Sequence, residues 1–142
     1  MAELLTLEVT LIGGAWAEGR WVRVIEIPDT ASLGELHDVI RGAIEFDDDH
    51  LFEFYAGRSW RNRKMQFSDP FGPGESEEYE TLLDEVYPLK GLKLYYHYDF
   101  GDDWLFEIKR KRKKKTLELG EDYPRIISAE GDNPKQYPDH ES

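Results

Sequence analysis

Two acidic clusters carry side chains that could do chemistry: Asp47, Asp48, Asp49 and His50 in one run, and Asp99, Asp102 and Asp103 within Asp99-Phe100-Gly101-Asp102-Asp103. Carboxylate oxygens with one imidazole suit a hard or borderline divalent cation if the fold joins the two segments, so His50, Asp99, Asp102 and Asp103 form the metal-ligand set to test. The spacing does not follow a calcium-loop register, and successive aspartates serve equally well as turn and cap residues. On that reading Gly101 gives a tight turn its backbone freedom and Asp99 bonds the amides ahead of it. Asp-Phe-Gly also occurs in the magnesium site of protein kinases, but no glycine-rich loop, strand lysine or catalytic-loop motif precedes it here, so the match carries nothing.

Nucleophilic catalysis finds no support, because the chain has no cysteine and no G-x-S-x-G motif. His37 lies one residue off an apolar helical stripe, where a histidine is a boundary residue with one ring nitrogen satisfied. His97 points away from the leucines of its strand, toward the opposite sheet face.

Two basic segments suggest a different chemistry. Lys109, Arg110, Lys111, Arg112, Lys113, Lys114 and Lys115 are consecutive and could contact several phosphates. Arg58, Arg61, Arg63 and Lys64 surround Trp60, whose ring could stack on a base. Against this, a basic edge also blocks strand-edge aggregation, and such cations can simply pair with acidic segments.

The elements that must position these residues can be read from periodicity. Residues 4–12 and 20–27 are β-rich runs joined by a glycine-containing loop, which predicts an antiparallel hairpin. Ser32 with Glu35 three residues on predicts a capped helix to about Ile44, with Leu33, Leu36, Ile40, Ala43 and Ile44 on one face. Residues 51–56 predict a strand paired with Trp60 to Phe67, and 68–76 a loop. Tyr79, Leu82, Leu83 and Val86 predict a second helix, ended by Pro88 and Gly91. Alternation in 92–98 and 104–110 predicts the clearest hairpin, with Trp104, Phe106 and Ile108 on one face. Residues 1–125 then form one domain, and 126–142 an irregular tail anchored by Leu117, Leu119, Tyr123 and Ile126. The implied class is α+β, a mainly antiparallel sheet in the order β-β-α-β-β-α-β-β with the helices on one face, and its opening fits a β-grasp start.

A chain of 142 residues with 39% hydrophobic side chains can bury a core, which excludes wholesale disorder. Thirty acidic against 18 basic side chains give a formal charge of −12, so any binding to phosphate backbones must be local and weak. The absence of cysteine excludes disulfides and thiolate zinc sites. No apolar run long enough to span a bilayer and no signal-peptide pattern is present, which predicts a cytoplasmic protein with no membrane partner. No cofactor is expected.

Leu36-His37, Asp48-Asp49-His50-Leu51 with Glu53-Phe54, and above all Tyr98-Asp99-Phe100-Gly101-Asp102-Asp103-Trp104 resemble the plasmid pRiA ORF-three-like family. Tyr123-Pro124-Arg125 extends the likeness into the tail, so that it spans roughly residues 4 to 125. The resemblance marks His37, Tyr98, Phe100, Gly101 and Trp104 as structural motif residues. It implies a family without an assigned activity, found on plasmids and chromosomes and carried by some insertion elements. Relatives commonly have histidines where this chain has Phe52 and Phe106, and end with cysteines and a P-P-E-D motif where it has Ile126, Asn133 and Pro134-Lys135-Gln136-Tyr137-Pro138. The resemblance therefore implies the fold more than any chemistry.

Together these features predict a small binding module that contacts nucleic acid or a protein partner through its basic and aromatic segments. The alternative is a metal-dependent enzyme or metal-binding domain centred on His50 and the Asp99–Asp103 turn. Convergence of His37, His50 and the aspartates on a pocket would select the second.

Overall fold

Alternating apolar residues draw the largest share of the described residues into strands of one sheet with a buried face. The computed structural model describes residues 3–14, 17, 19–47, 50–67, 80–111 and 115–136. Among these the order is β1 (Glu3–Gly13), β2 (Val22–Pro28), α1 (Leu33–Ile44), β3 (Phe52–Gly57), β4 (Met65–Gln66), α2 (Leu83–Val86), β5 (Lys93–Tyr98), β6 (Trp104–Arg110), β7 (Lys115–Thr116) and β8 (Arg125–Glu130). They form one sheet in the order β4-β3-β5-β6-β1-β2-β8, and β7 pairs with β1 beyond the end of β6. Every described pairing is antiparallel.

Leu5, Leu7, Val9 and Leu11 of β1, Phe52 and Phe54 of β3, Leu94, Tyr96 and Tyr98 of β5, and Trp104, Phe106 and Ile108 of β6 all lie in the core. α1 covers them with Leu33, Leu36, Ile40 and Ile44, the stripe its spacing predicts. Its start is fixed by Ser32, whose Oγ accepts from the Glu35 amide at 3.1 Å. No helix among the described residues is long and apolar enough to cross a membrane.

The architecture corrects the expected class. Among the described residues the structure is mostly antiparallel sheet with two short helices, not a balanced α+β chain in the order β-β-α-β-β-α-β-β, and the β-grasp start falls with that order. Only one of the helices is longer than a single turn: α2 has four residues. The backbone before it is spent elsewhere, since Thr81 O accepts from Leu33 N, and Leu83 N and Asp84 N donate to Ala31 O and Asp29 O. Those bonds hold Leu82 in a bridge with Ser32, an extended conformation that a helix cannot share. Tyr79 and the 68–76 loop lie outside the described residues.

Two further segments differ from expectation. Of Trp60 to Phe67, only Met65 and Gln66 pair with β3. Residues 58–64 instead curl into a turn, in which Asn62 approaches so closely that a Cβ on Gly57 would lie 1.5 Å from its carbonyl oxygen. In place of an irregular tail from 126, β8 pairs with β2 from Glu26↔Arg125 to Val22↔Glu130. Periodicity misses it because Ile126 and Ile127 are both about half exposed, and Leu119 is wholly exposed and anchors nothing. Polar contacts hold the segment: Arg23 donates to Glu130 O and Gly131 O at 2.9 Å, and Arg125 Nε to Glu26 Oε1 at 2.8 Å.

Trp104 is wholly buried, 4.7 Å from the Phe46 ring, and a Cβ on Gly14 would meet its indole at 2.8 Å. Trp104→Ala is expected to cost about 3 to 5 kcal/mol in a urea melt. A loss below about 1 kcal/mol, the scale of a surface change, would contradict its packing role.

Candidate functional site

Pairing of β5 with both neighbours sets Glu53, His97 and Leu105 in one row across the sheet, and Tyr55, Tyr95 and Glu107 in the next. These residues alternate with core residues, so they occupy the face opposite α1. At the edge of that face the 58–64 segment folds back over it. Tyr55 donates to Trp60 O at 2.7 Å, and Arg63 reaches Glu53 Oε1 at 2.6 Å with its guanidinium over the Tyr55 ring. On the other side the β1–β6 ladder shifts register at Ile12 between Leu11↔Phe106 and Gly13↔Leu105, the kind of bulge found beside binding sites. Between them lies a hollow of about 590 Å³, lined by residues that include Ile12, Tyr55, Trp60, Arg61, Arg63 and His97.

His97 organises the floor. Its Nδ1 lies 2.8 Å from Glu53 Oε2 and its Nε2 2.8 Å from Asp103 Oδ1, while its ring stacks on Phe100. Two ionised carboxylates can be served at once only if both nitrogens donate, so the arrangement favours the imidazolium form of the ring. Burial works against that charge, but the hydrogen bonds and charges of Glu53 and Asp103 outweigh it and hold His97 above its ordinary value. Burial likewise opposes the Glu53 carboxylate, and the bonds from His97 and Arg63 overcome it and hold Glu53 low. Tyr95 is pushed up to about 12, chiefly by burial and then by Glu107, so it stays a neutral phenol stacked on Tyr55.

The sequence-predicted metal set does not assemble around one point. His50 Nε2 is 3.4 Å from Asp99 Oδ2, whereas Asp103 turns to His97 on the opposite face. Asp99 Oδ1 instead accepts from the Gly101 and Asp102 amides at 3.1 and 3.3 Å, the turn role. No group of three or more acidic, histidine or cysteine side chains among the described residues could hold a metal, and Asp48 and Asp49 lie outside them. His37 is not a boundary residue but fully buried: its ring stacks on Phe52 at 3.7 Å and its Nδ1 is 2.5 Å from the Tyr96 hydroxyl. Tyr98 donates to Asp47 O, tying the His50 loop to β5. Phe52 and Phe106, where the resemblance implies histidine, flank Tyr96 in the core with ring centroids at 6.0 and 5.5 Å.

The structure keeps the two basic segments in different settings. Arg61 and Arg63 line the hollow, Trp60 is half exposed at its rim with the Arg61 guanidinium 4.9 Å from its ring centroid, and Arg58 and Lys64 are exposed on the same turn. In the lysine run, Lys109 pairs with Glu107, Lys111 with Glu8 and Lys115 with Glu26, while Arg110 lies over Tyr87. Arg112, Lys113 and Lys114 lie outside the described residues. Sequence reasoning placed His97 on this face but missed its bond to Glu53, because the two are 44 positions apart. The available signal was alternation, which sets Glu53 and Tyr55 opposite the apolar residues of their strand.

The fold and this face define a class: an antiparallel sheet closed on one side by a helix and open on the other as a polar, aromatic-walled surface. The chain belongs to the family described as plasmid pRiA4b ORF-3-like protein, whose model matches residues 3–137. It is 30% identical over 140 residues to the uncharacterized protein y4hQ of Sinorhizobium fredii (strain NBRC 101917 / NGR234), a match covering 96% of this chain and 66% of that protein. The fold is also that of MM3350 from Methanosarcina mazei Go1, a crystal structure of a protein of unknown function. That likeness has a TM-score of 0.73 at 22% identity and covers 94% of this chain and 72% of the other.

Glu53 and His97 give opposite pH slopes. His97, raised in the folded state, contributes stability that is complete below its unfolded value of 6.5 and is lost as pH rises through the higher folded value. Glu53, lowered, contributes stability that is complete above 4.5 and is lost as pH falls through the lower folded value. The gap in melting temperature between the protein and His97→Gln is therefore expected to be widest between about pH 4.5 and 6.5 and to narrow in alkali. A gap that stays constant from about pH 5 to 9 would contradict the imidazolium bridge.

Proposed function

We propose that the chain is a binding module that holds single-stranded nucleic acid at the hollow on its open face. Trp60 serves as the stacking platform, and Arg58, Arg61, Arg63 and Lys64 meet the phosphates. The observation that carries this reading is Trp60 itself, a half-exposed indole at the mouth of an aromatic-walled hollow, on a seven-residue turn that bears four cations. Bases stack on exposed aromatic faces whatever their sequence, and adjacent cations follow the backbone. The formal charge of −12 favours a single strand over a duplex. A flexible strand can meet a local basic turn while the rest stays beyond a Debye length of about 8 Å, whereas a stiff duplex would be laid along the acidic body.

The lysine run is a lesser contributor on this reading. Its Lys109, Lys111 and Lys115 already face carboxylates, so their counterions are in part the protein's own. Titration with a short oligothymidylate, read by fluorescence anisotropy, is expected to give a Kd of roughly 10⁻⁴ to 10⁻⁶ M at physiological salt, with log affinity falling linearly in log salt. Trp60→Ala should weaken it about 5- to 150-fold, the equivalent of one base stack. Absence of binding at low salt, or a Trp60→Ala protein that binds as well as the parent, would overturn the reading.

A further inference from the structure

The two carboxylates on His97 are not equivalent. Glu53 is buried, and its second oxygen is fixed by Arg63 at 2.6 Å, so the inner bond is part of the sheet. Asp103 has a side chain 68% exposed and reaches His97 Nε2 from the β5–β6 turn. The turn does not need that carboxylate. Its own bonds run from Asp103 N to Asp99 O and from the Gly101 and Asp102 amides to Asp99 Oδ1. The Asp103 backbone also sits at φ 55, in the left-handed region that a residue with a side chain rarely adopts. The result is an anionic oxygen 2.8 Å from an imidazolium N–H, at a residue that lines the hollow together with Trp60, Arg61 and Arg63.

We propose that the Asp103 carboxylate stands where a phosphate oxygen of the bound ligand goes, so that the hollow takes phosphate by exchange. The incoming oxygen accepts from His97 Nε2, Asp103 swings out to solvent, and Arg61 supplies a second charge beside it, while Arg63 stays on Glu53. Three physical points support this. An N–H of a cation bonds a phosphate oxygen at about 2.7 to 2.9 Å, the separation Asp103 now occupies. The Asp103 carboxylate is itself largely exposed, so water takes over its hydrogen bonds when it leaves the ring. The inner bond to Glu53 keeps the ring oriented and charged while the outer partner changes, as a carboxylate behind an imidazole does elsewhere. The inference rests on the reading of the hollow as the nucleic-acid site and names the atom that receives the phosphate.

The test uses the full chain, inorganic phosphate as first probe and oligothymidylate as second. Asp103→Asn keeps the size of the side chain and its tolerance of a left-handed backbone while removing the competing charge. Followed by NMR through the backbone amides of Trp60, Arg61 and Leu105, and through the His97 ring where it is present, phosphate is expected to bind Asp103→Asn about tenfold more tightly than the parent, and adding His97→Gln should abolish the gain. Phosphate that leaves the His97 ring unperturbed in both proteins, or an affinity unchanged or weakened in Asp103→Asn, would overturn the exchange. The two readings fail separately. If oligothymidylate binds in a Trp60-dependent way with Asp103→Asn and His97→Gln indistinguishable from the parent, the exchange is wrong and the nucleic-acid site stands. If Asp103→Asn tightens phosphate but no protein binds the oligonucleotide, the exchange stands and the nucleic-acid reading is wrong.

Discussion

The register of β5 between β3 and β6 is the constraint on which the rest depends. Side chains alternate with a period of two, so one residue of slip would carry Leu94, Tyr96 and Tyr98 out of the core and force Lys93, Tyr95 and His97 into it. Neither face tolerates that exchange. Two core phenols lock the register further, because Tyr96 meets His37 on α1 and Tyr98 donates to the carbonyl of Asp47 beyond α1. The open face is thus fixed from behind. Glu53 meets His97 because two tyrosines on the other side of the sheet hold the strand in place.

The same strand encloses the histidine on the core side of the sheet. His37 is enclosed by Phe52, Tyr96 and Tyr98, with ring centroids between 3.7 and 6.0 Å. A histidine in such a place needs a polar partner more than it offers one, and the Tyr96 hydroxyl meets that need. Phe52 and Phe106, where the resemblance implies histidine, add ring packing with Tyr96 and Trp21. What would be a polar cluster is a hydrophobic one. The polar chemistry of this chain lies on the opposite face.

Much of the fold was legible in local pattern, and the losses share one cause. β1, β2, α1, β5 and β6 each carry their own apolar period and fall within a residue or two of the spans it predicts. The one-turn α2 and β8 do not, since their backbone bonds go to Ala31 and Asp29, and to β2. Partners of that kind are set by topology, which no local window contains. The site divides in the same way. Trp60 among arginines is visible as a motif, whereas the bond from His97 to Glu53 appears only once β3 and β5 are in register. The Asp99–Asp103 turn was legible as a turn, but alternation could not reveal that its last aspartate crosses to the open face.

Charge on the open face is arranged as a lattice of matched groups. Glu107 lies between Lys93 and Lys109, Glu8 beside Lys111, and Glu26 between Lys115 and Arg125. The arrangement follows from desolvation: a carboxylate as enclosed as Glu26, at 3% exposure, would be costly without cations on both oxygens. Such matching makes the face rigid and leaves most of its cations little attraction for an outside anion. The hollow differs because one of its pairs ends in an exposed carboxylate, beside a half-exposed indole that carries the Arg61 guanidinium on its ring. A chain of net charge −12 can therefore select for geometry where it cannot attract by bulk field. The exchange proposed at His97 would make recognition depend on which anionic oxygen can replace an internal one.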